Sequence, residues 1–420
     1  MTIYLEQKAL HKQTTTTKWL ALDQSRLNIS ARSRTSRLPW RGQFSPEFVE
    51  YLIDCVCPNS KKLLDPFCGS GTVLYEALHK GKSSVGAEVN PAAWHLAQLA
   101  SYSKLSIQDQ RFVAKKLTEV AAKFGVVRVN STSNILEARE YVDTLNTENH
   151  PFVREALAAV ILLGMGNSTE LSTDAIARGI FATTTLLNSL KCSSENVECY
   201  LTDARCLPLE NNSIDAVITS PPYINVFNYH QNYRTAAELL GWSPLEAARS
   251  EIGSNRKHRG NRFLTVVQYA MDMSQCLTEL SRVMQPDAPL VIVLGRTSNV
   301  LGTPFENGTM IAELIDQSEA FDTVQCAERF FTNRYGEQIY EDILITRCIG
   351  FRNTSIEKAR KIGLKSLKNA IAVVPEKNLA TLENAIATAS KIMLSPMLSI
   401  SIPSYYAKMK QFTAVSHAVD

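Results

Sequence analysis

Hydrophobic and polar positions change rhythm several times along the chain. Ser45-Pro46-Glu47 puts a cap residue and a proline at a helix start, and Phe48, Leu52 and Ile53 follow at helical spacing. Lys62-Leu63-Leu64-Asp65 reads as a short buried strand, and the Gly69-Ser70-Gly71 turn leads into a helix carrying Val73, Leu74, Ala77 and Leu78. Residues 83–89 read as a second strand with an acid, Glu88, at its end. From about 91 to 195 Ala, Leu, Lys, Glu and Gln dominate, with helix-period stretches at 112–124 and 153–163, which predicts a mostly helical insertion. Strand rhythm resumes at 197–201, 214–219 and 289–294. Two β-rich runs, 321–330 and 340–347, are expected to pair as an antiparallel edge hairpin, and a basic helix-like stretch (Lys358, Arg360, Lys361, Lys365, Lys368) opens a C-terminal extension that closes on a polar tail.

Strand, glycine turn, helix, strand and acid, in that order, form the nucleotide half of a doubly wound α/β sheet. The expected organisation is a basic, loosely ordered arm at 1–36, a first half-domain at 37–90, the helical insertion at 91–195, a second half-domain at 196–350 and the extension at 351–420. No internal repeat is visible. The formal charge of +3 over 420 residues is near neutral, so contact with a polyanion has to come from local patches. Two such patches stand out. Arg26, Arg32, Arg34, Arg37 and Arg41 lie in a stretch without an acid, and Arg249, Arg256, Lys257, Arg259 and Arg262 surround Gly253 and Gly260. Both compete with the reading of a solvated surface. The nine cysteines lack paired metal-ligand spacing, so no metal is expected. With no secretion signal and no long apolar run, a reduced, cytoplasmic setting is expected.

Two motifs carry chemistry. In Asp65-Pro66-Phe67-Cys68-Gly69-Ser70-Gly71-Thr72, glycines let backbone approach a ligand, and Asp65 stands at a strand's carboxyl end, placed to accept from an amino-acid ammonium. Glu88 is placed to take both hydroxyls of a ribose, and the incomplete GxGxxG spacing argues against a nicotinamide dinucleotide. In Thr219-Ser220-Pro221-Pro222-Tyr223, two prolines end an apolar strand because they cannot continue its ladder. One reading is a rigid strand stop. The other makes the Ser220 oxygen and the Pro221 carbonyl fixed acceptors for the two N–H bonds of an exocyclic amine, with the Tyr223 ring as a stacking face for a base.

Together, DPFCGSGT at 65–72 and TSPPY at 219–223 resemble the S-adenosyl-L-methionine-dependent DNA amino-methyltransferases. That resemblance implies cofactor contacts from Phe44, Asp65, Phe67, Gly69, Gly71, Thr72, Glu88 and Asp203, with Phe44-Ser45-Pro46-Glu47-Phe48 packed over the methionine part and Asp203 facing the adenine amine. It implies catalysis by Ser220, Pro221, Pro222 and Tyr223 on a base flipped out of duplex DNA. Ser at the first motif position favours cytosine N4 over adenine N6. The basic run from Arg249 to Arg262 is expected to clasp DNA, and a cognate restriction endonuclease is a possible partner. An RNA base amino-methyltransferase and a non-catalytic DNA-binding subunit are the rivals. The resemblance covers roughly 37–90 and 197–347.

Overall fold

The computed structural model describes residues 20–29, 37–40, 42–124, 138–225, 228–254, 258–333 and 335–403. Its centre is a seven-stranded sheet built from β1 (Lys62–Asp65), β2 (Ser83–Glu88), β3 (Val197–Leu201), β4 (Ala216–Thr219), β5 (Pro289–Gly295), β8 (Phe321–Thr332) and β9 (Gln338–Cys348). β6 (Thr297–Val300) and β7 (Thr303–Glu306) form a separate small hairpin. The sheet order is β3-β2-β1-β4-β5-β9-β8. Strands β3, β2, β1, β4 and β5 run parallel, whereas β9 is antiparallel to both β5 and β8. The order turns back at β1, so the ends of β1 and β4 flank the switch point where open α/β sheets bind ligands. This is a Rossmann-like doubly wound sheet with an antiparallel edge hairpin.

The central strands are short and buried on both faces, because helices cover both sides. Helix Leu264–Val283 packs with β4 and β5 into one apolar cluster, and helix Pro46–Val56 closes the other face through Phe48, Val49, Leu52 and Ile53. The described residues of 91–195 form six helical segments within the β2-to-β3 crossover, so the helical part is a lobe grown from one connection of the sheet. No described helix is long and apolar enough to cross a membrane.

Several boundaries differ from the expected ones. β4 begins at Ala216, and Ile214 makes only an isolated bridge with Met284. Residues 20–29, expected in a loosely ordered arm, contain helix Gln24–Asn28, bury Leu27 and lay the Arg26 guanidinium 4.4 Å from the Tyr51 ring centre. The remaining arm arginines divide: Arg37 donates to Ser189 Oγ at 2.7 Å, while Arg32, Arg34 and Arg41 lie outside the described residues. At the other end, helices Ile356–Asn369 and Glu376–Thr388 insert Ile362, Leu367, Leu382 and Ala385 into the same core as the sheet. That segment completes the domain's core.

Candidate active site

The two chemical motifs lie far apart in sequence and meet at adjacent strand ends. Thr219, the last residue of β4, donates its hydroxyl to Asp65 Oδ1 at 2.7 Å across 154 residues of chain. Asp65, the last residue of β1, also accepts from the Phe67 N–H at 3.1 Å. Burial pushes its carboxyl up to about 7 although both hydrogen bonds pull the other way. Glu88 ends β2 and is held at both oxygens, accepting from the Gly69 N–H at 2.9 Å and from the Asn90 N–H at 2.8 Å. Burial likewise raises it to about 7, and the charge of Glu251 adds to the rise. Two carboxylates are thus fixed by backbone and hydroxyl donors: both Asp65 bonds fall on Oδ1 and leave Oδ2 for a ligand, while each Glu88 oxygen keeps a lone pair.

These groups open into one cavity with about 1000 Å3 of empty space, the open solvent at its mouth included. Asp65, Phe67, Gly69, Thr72, Glu88 and Asp203 line it from the sheet, and Phe44 from the N-terminal side. Ser220, Pro222 and Tyr223 line it from the loop after β4, while Pro221 is buried. The Pro-Pro turn and the glycine bend therefore share a chamber.

Gly71 does not reach the cavity. A Cβ on it would lie 3.1 Å from Cα and Cβ of Ala97, so this glycine lets helix Pro91–Gln98 pack against the turn. A Cβ on Gly69 would meet the Trp40 ring at 3.2 Å, so there the close neighbour is an indole that also lines the cavity. Asp203 lines the site, but Arg205 holds both its oxygens, through Nε to Oδ1 at 2.9 Å and Nη2 to Oδ2 at 2.7 Å. Arg205 is anchored in turn by Asp272 and by the carbonyls of Ser395 and Pro396. An adenine amine facing Asp203 thus has only its remaining lone pairs to use.

Tyr223 is framed by backbone. A Cβ on Gly295 would fall 2.8 Å from its ring, and one on Gly253 would fall 2.7 Å from its carbonyl oxygen. Its hydroxyl lies 3.4 Å from Ser220 Oγ and donates to Glu341 Oε1 at 3.3 Å. Arg329 Nε holds the other Glu341 oxygen at 2.6 Å, so the edge hairpin fixes the ring's far end. Burial pushes the Tyr223 hydroxyl's pKa upward, and the Glu341 charge adds to this, so the group stays a hydrogen-bond donor.

Residues 4–99 match the DNA methylase family model of the N6/N4 type. Type II methyltransferase M.MjaII of Methanocaldococcus jannaschii is 30% identical over 102 residues, which are 24% of this chain and 18% of that protein. Type II methyltransferase M.MvaI of Kocuria varians is 45% identical over 78 residues, 19% of this chain and 16% of that protein. The chain thus spans less than a fifth of the length of these curated relatives. Among solved structures, an S-adenosylmethionine-dependent methyltransferase of Methanosarcina mazei aligns with 69% of this chain and 92% of its own at 13% identity and a TM-score of 0.32. The rRNA methyltransferase aviRa of Streptomyces viridochromogenes aligns with 82% of this chain and 96% of its own, at 12% identity and a TM-score of 0.32.

The cavity fits S-adenosylmethionine on its own chemistry. Asp65 and Glu88 suit a cationic amino-acid end and a ribose, and Phe44, Phe67, Ala204 and Ile252 offer apolar walls for the uncharged parts. Among the described residues no group of three or more His, Cys, Asp or Glu is arranged to hold a metal. Arg249, Arg259 and Arg262 are exposed, and Arg256 and Lys257 lie outside the described residues. Sequence reasoning missed Trp40, Gln43, Tyr229, Ser250, Glu251 and Ile252, all of which line the cavity. Glu251 was hidden in a run noticed for its arginines.

Proposed function

We propose that the chain is an S-adenosylmethionine-dependent DNA methyltransferase acting on an exocyclic amine, with cytosine N4 as the target. One observation carries the reading: the Ser220-Pro221-Pro222-Tyr223 turn and the Asp65–Glu88 carboxylates share a chamber, tied by the Thr219–Asp65 hydrogen bond. The match of residues 4–99 to DNA methylases supports DNA as the substrate, and the type II names of both relatives support a modification role.

When bound, S-adenosylmethionine supplies an electrophilic methyl group. The chain's part is positioning. Ser220 Oγ and the Pro221 carbonyl accept from the two amine N–H bonds, which draws the nitrogen lone pair out of ring conjugation. Tyr223, locked between Gly295 and Glu341, gives the base a face on which to stack; such stacking is worth about 1–3 kcal/mol per base. A stacked base in a duplex cannot bring its amine to a buried chamber, so the target is flipped out. Exposed Arg249, Arg259 and Arg262 follow the catalytic loop in sequence and supply phosphate contacts.

Incubation with methyl-labelled cofactor on duplex DNA and on tRNA, followed by digestion to nucleosides, tests this reading. N4-methylcytosine from DNA is the expected product. N6-methyladenine alone overturns the assignment from Ser220, and label confined to tRNA overturns DNA as the substrate.

A further inference from the structure

Glu251 lies in the segment that follows the catalytic loop, is 5% exposed and lines the cavity. Its Oε2 is 2.9 Å from His230 Nδ1, and the imidazole is itself buried. Its Oε1 is buried and has no hydrogen-bond partner among the described residues. Leaving a buried carboxylate oxygen unpaired is costly, so native proteins keep one where a ligand completes it. Both sides of the pair are pinned to the site. The Tyr229 carbonyl, next to His230, accepts from Asn90 Nδ2 at 3.0 Å, just beyond Glu88 in the chain. The Gly253 carbonyl, two residues past Glu251, accepts from the Asn225 N–H at 2.8 Å and ties the segment to the catalytic loop. Glu251 also stands close enough to Glu88 for its charge to act on that carboxyl. Glu251 therefore stands at the β2 end of the chamber, where Glu88 suits a ribose.

We propose that Glu251 is a further cofactor-binding residue, whose free Oε1 accepts a hydrogen bond from a ribose hydroxyl of the bound nucleoside while His230 fixes the carboxylate from behind. Glu88 and Glu251 then share the sugar's two hydroxyls. Glu88 keeps both oxygens on backbone N–H groups, and Glu251 brings an acceptor with no prior partner. The inference rests on the cavity being the cofactor site.

The test is titration calorimetry on the full chain without nucleic acid, using S-adenosylhomocysteine and its 2′-deoxy and 3′-deoxy forms. Glu251→Gln keeps the side chain's shape, but its amide oxygen is drawn to the His230 N–H and an NH2 group turns toward the cavity. Binding of S-adenosylhomocysteine is expected to weaken by about tenfold or more, in line with loss of a hydrogen bond to a charged group. Removing the partnered hydroxyl from the ligand then costs the unmodified protein that factor and costs the variant little further. Unchanged affinity in a variant that melts normally, or equal penalties for both deoxy forms in both proteins, overturns the assignment. Should Glu251→Gln fail to fold, Glu251→Asp keeps the charge, withdraws the oxygen and carries the same readouts. If the unmodified protein does not bind S-adenosylhomocysteine at all, the cofactor reading falls and the role of Glu251 falls with it.

Discussion

Two buried histidine–glutamate pairs, one rooted in the helical lobe and one in the strand-end cavity, are built alike and finished differently. In the lobe, His95 Nδ1 lies 2.6 Å from Glu155 Oε1, and Trp242 Nε1 donates to His95 Nε2 at 2.8 Å. Accepting from the indole leaves the ring proton on Nδ1, so His95 donates to Glu155 and both ring nitrogens are spent. Beside the cavity, His230 holds one oxygen of Glu251, a lining residue, and the other oxygen is buried with no partner among the described residues. A closed polar cluster joins elements: His95 is on helix Pro91–Gln98, Glu155 on helix Pro151–Met165, and Trp242 follows the catalytic segment. An open cluster keeps acceptor strength in reserve for a ligand.

The largest effect is expected where the closed pair is broken. Glu155→Ala strands a buried N–H donor, which costs about 1–3 kcal/mol, and the void it opens between two helices adds to that loss. Chemical denaturation should show that loss, while the folded fraction binds cofactor with unchanged affinity. A stable Glu155→Ala protein that has lost cofactor binding would break the comparison, because the lobe would then be part of the site. The next effect is the mirror image. Glu88→Gln removes a charged acceptor and should weaken cofactor binding by about ten- to a hundredfold, with a smaller loss of melting temperature than Glu155→Ala. The contrast fails if Glu88→Gln melts as early as Glu155→Ala and binds normally.

Legibility followed how local each signal is. β1, its glycine turn and β2 with Glu88 at its end all announce themselves within thirty residues, and the edge hairpin does so by composition. The Pro-Pro stop marks the end of β4, although the strand starts at Ala216, because Ile214 is drawn off to Met284. What depends on a distant partner was not legible. Gly71 reads as ligand-facing until Ala97 is seen against it. The stretch from 351 reads as an extension until Ile362 and Leu382 are seen in the sheet's core. Asp203 reads as a free acid until Arg205, two residues on, is seen holding it. Glu251 shows the same limit at the site itself: it is buried against His230, 21 residues upstream, and nothing in the charged run around it signals that.

The smallest effect on stability concerns protons and separates the two regions without any substitution. Asp65 and Glu88 titrate near 7 in the folded chain, against ordinary values of 3.8 and 4.5, because burial penalises their charged forms. Between about pH 4 and 7 the folded state therefore binds protons that the unfolded state has released. Stability contributed by these two groups rises as pH falls through that window, and is lost as pH climbs toward 7. Cofactor binding runs the other way. A cationic ligand favours ionised carboxylates, so affinity should rise with pH from 5.5 to about 7 by up to about tenfold per unit for each titrating group, then level off. Calorimetry at pH 6.5 in buffers of different ionisation enthalpy should detect protons released on binding, and Glu88→Gln should reduce their number. Affinity that is flat with pH, or proton uptake, would mean that the cavity carboxylates are already ionised before the ligand arrives. Their burial would then be no different in kind from that of the closed pair in the lobe.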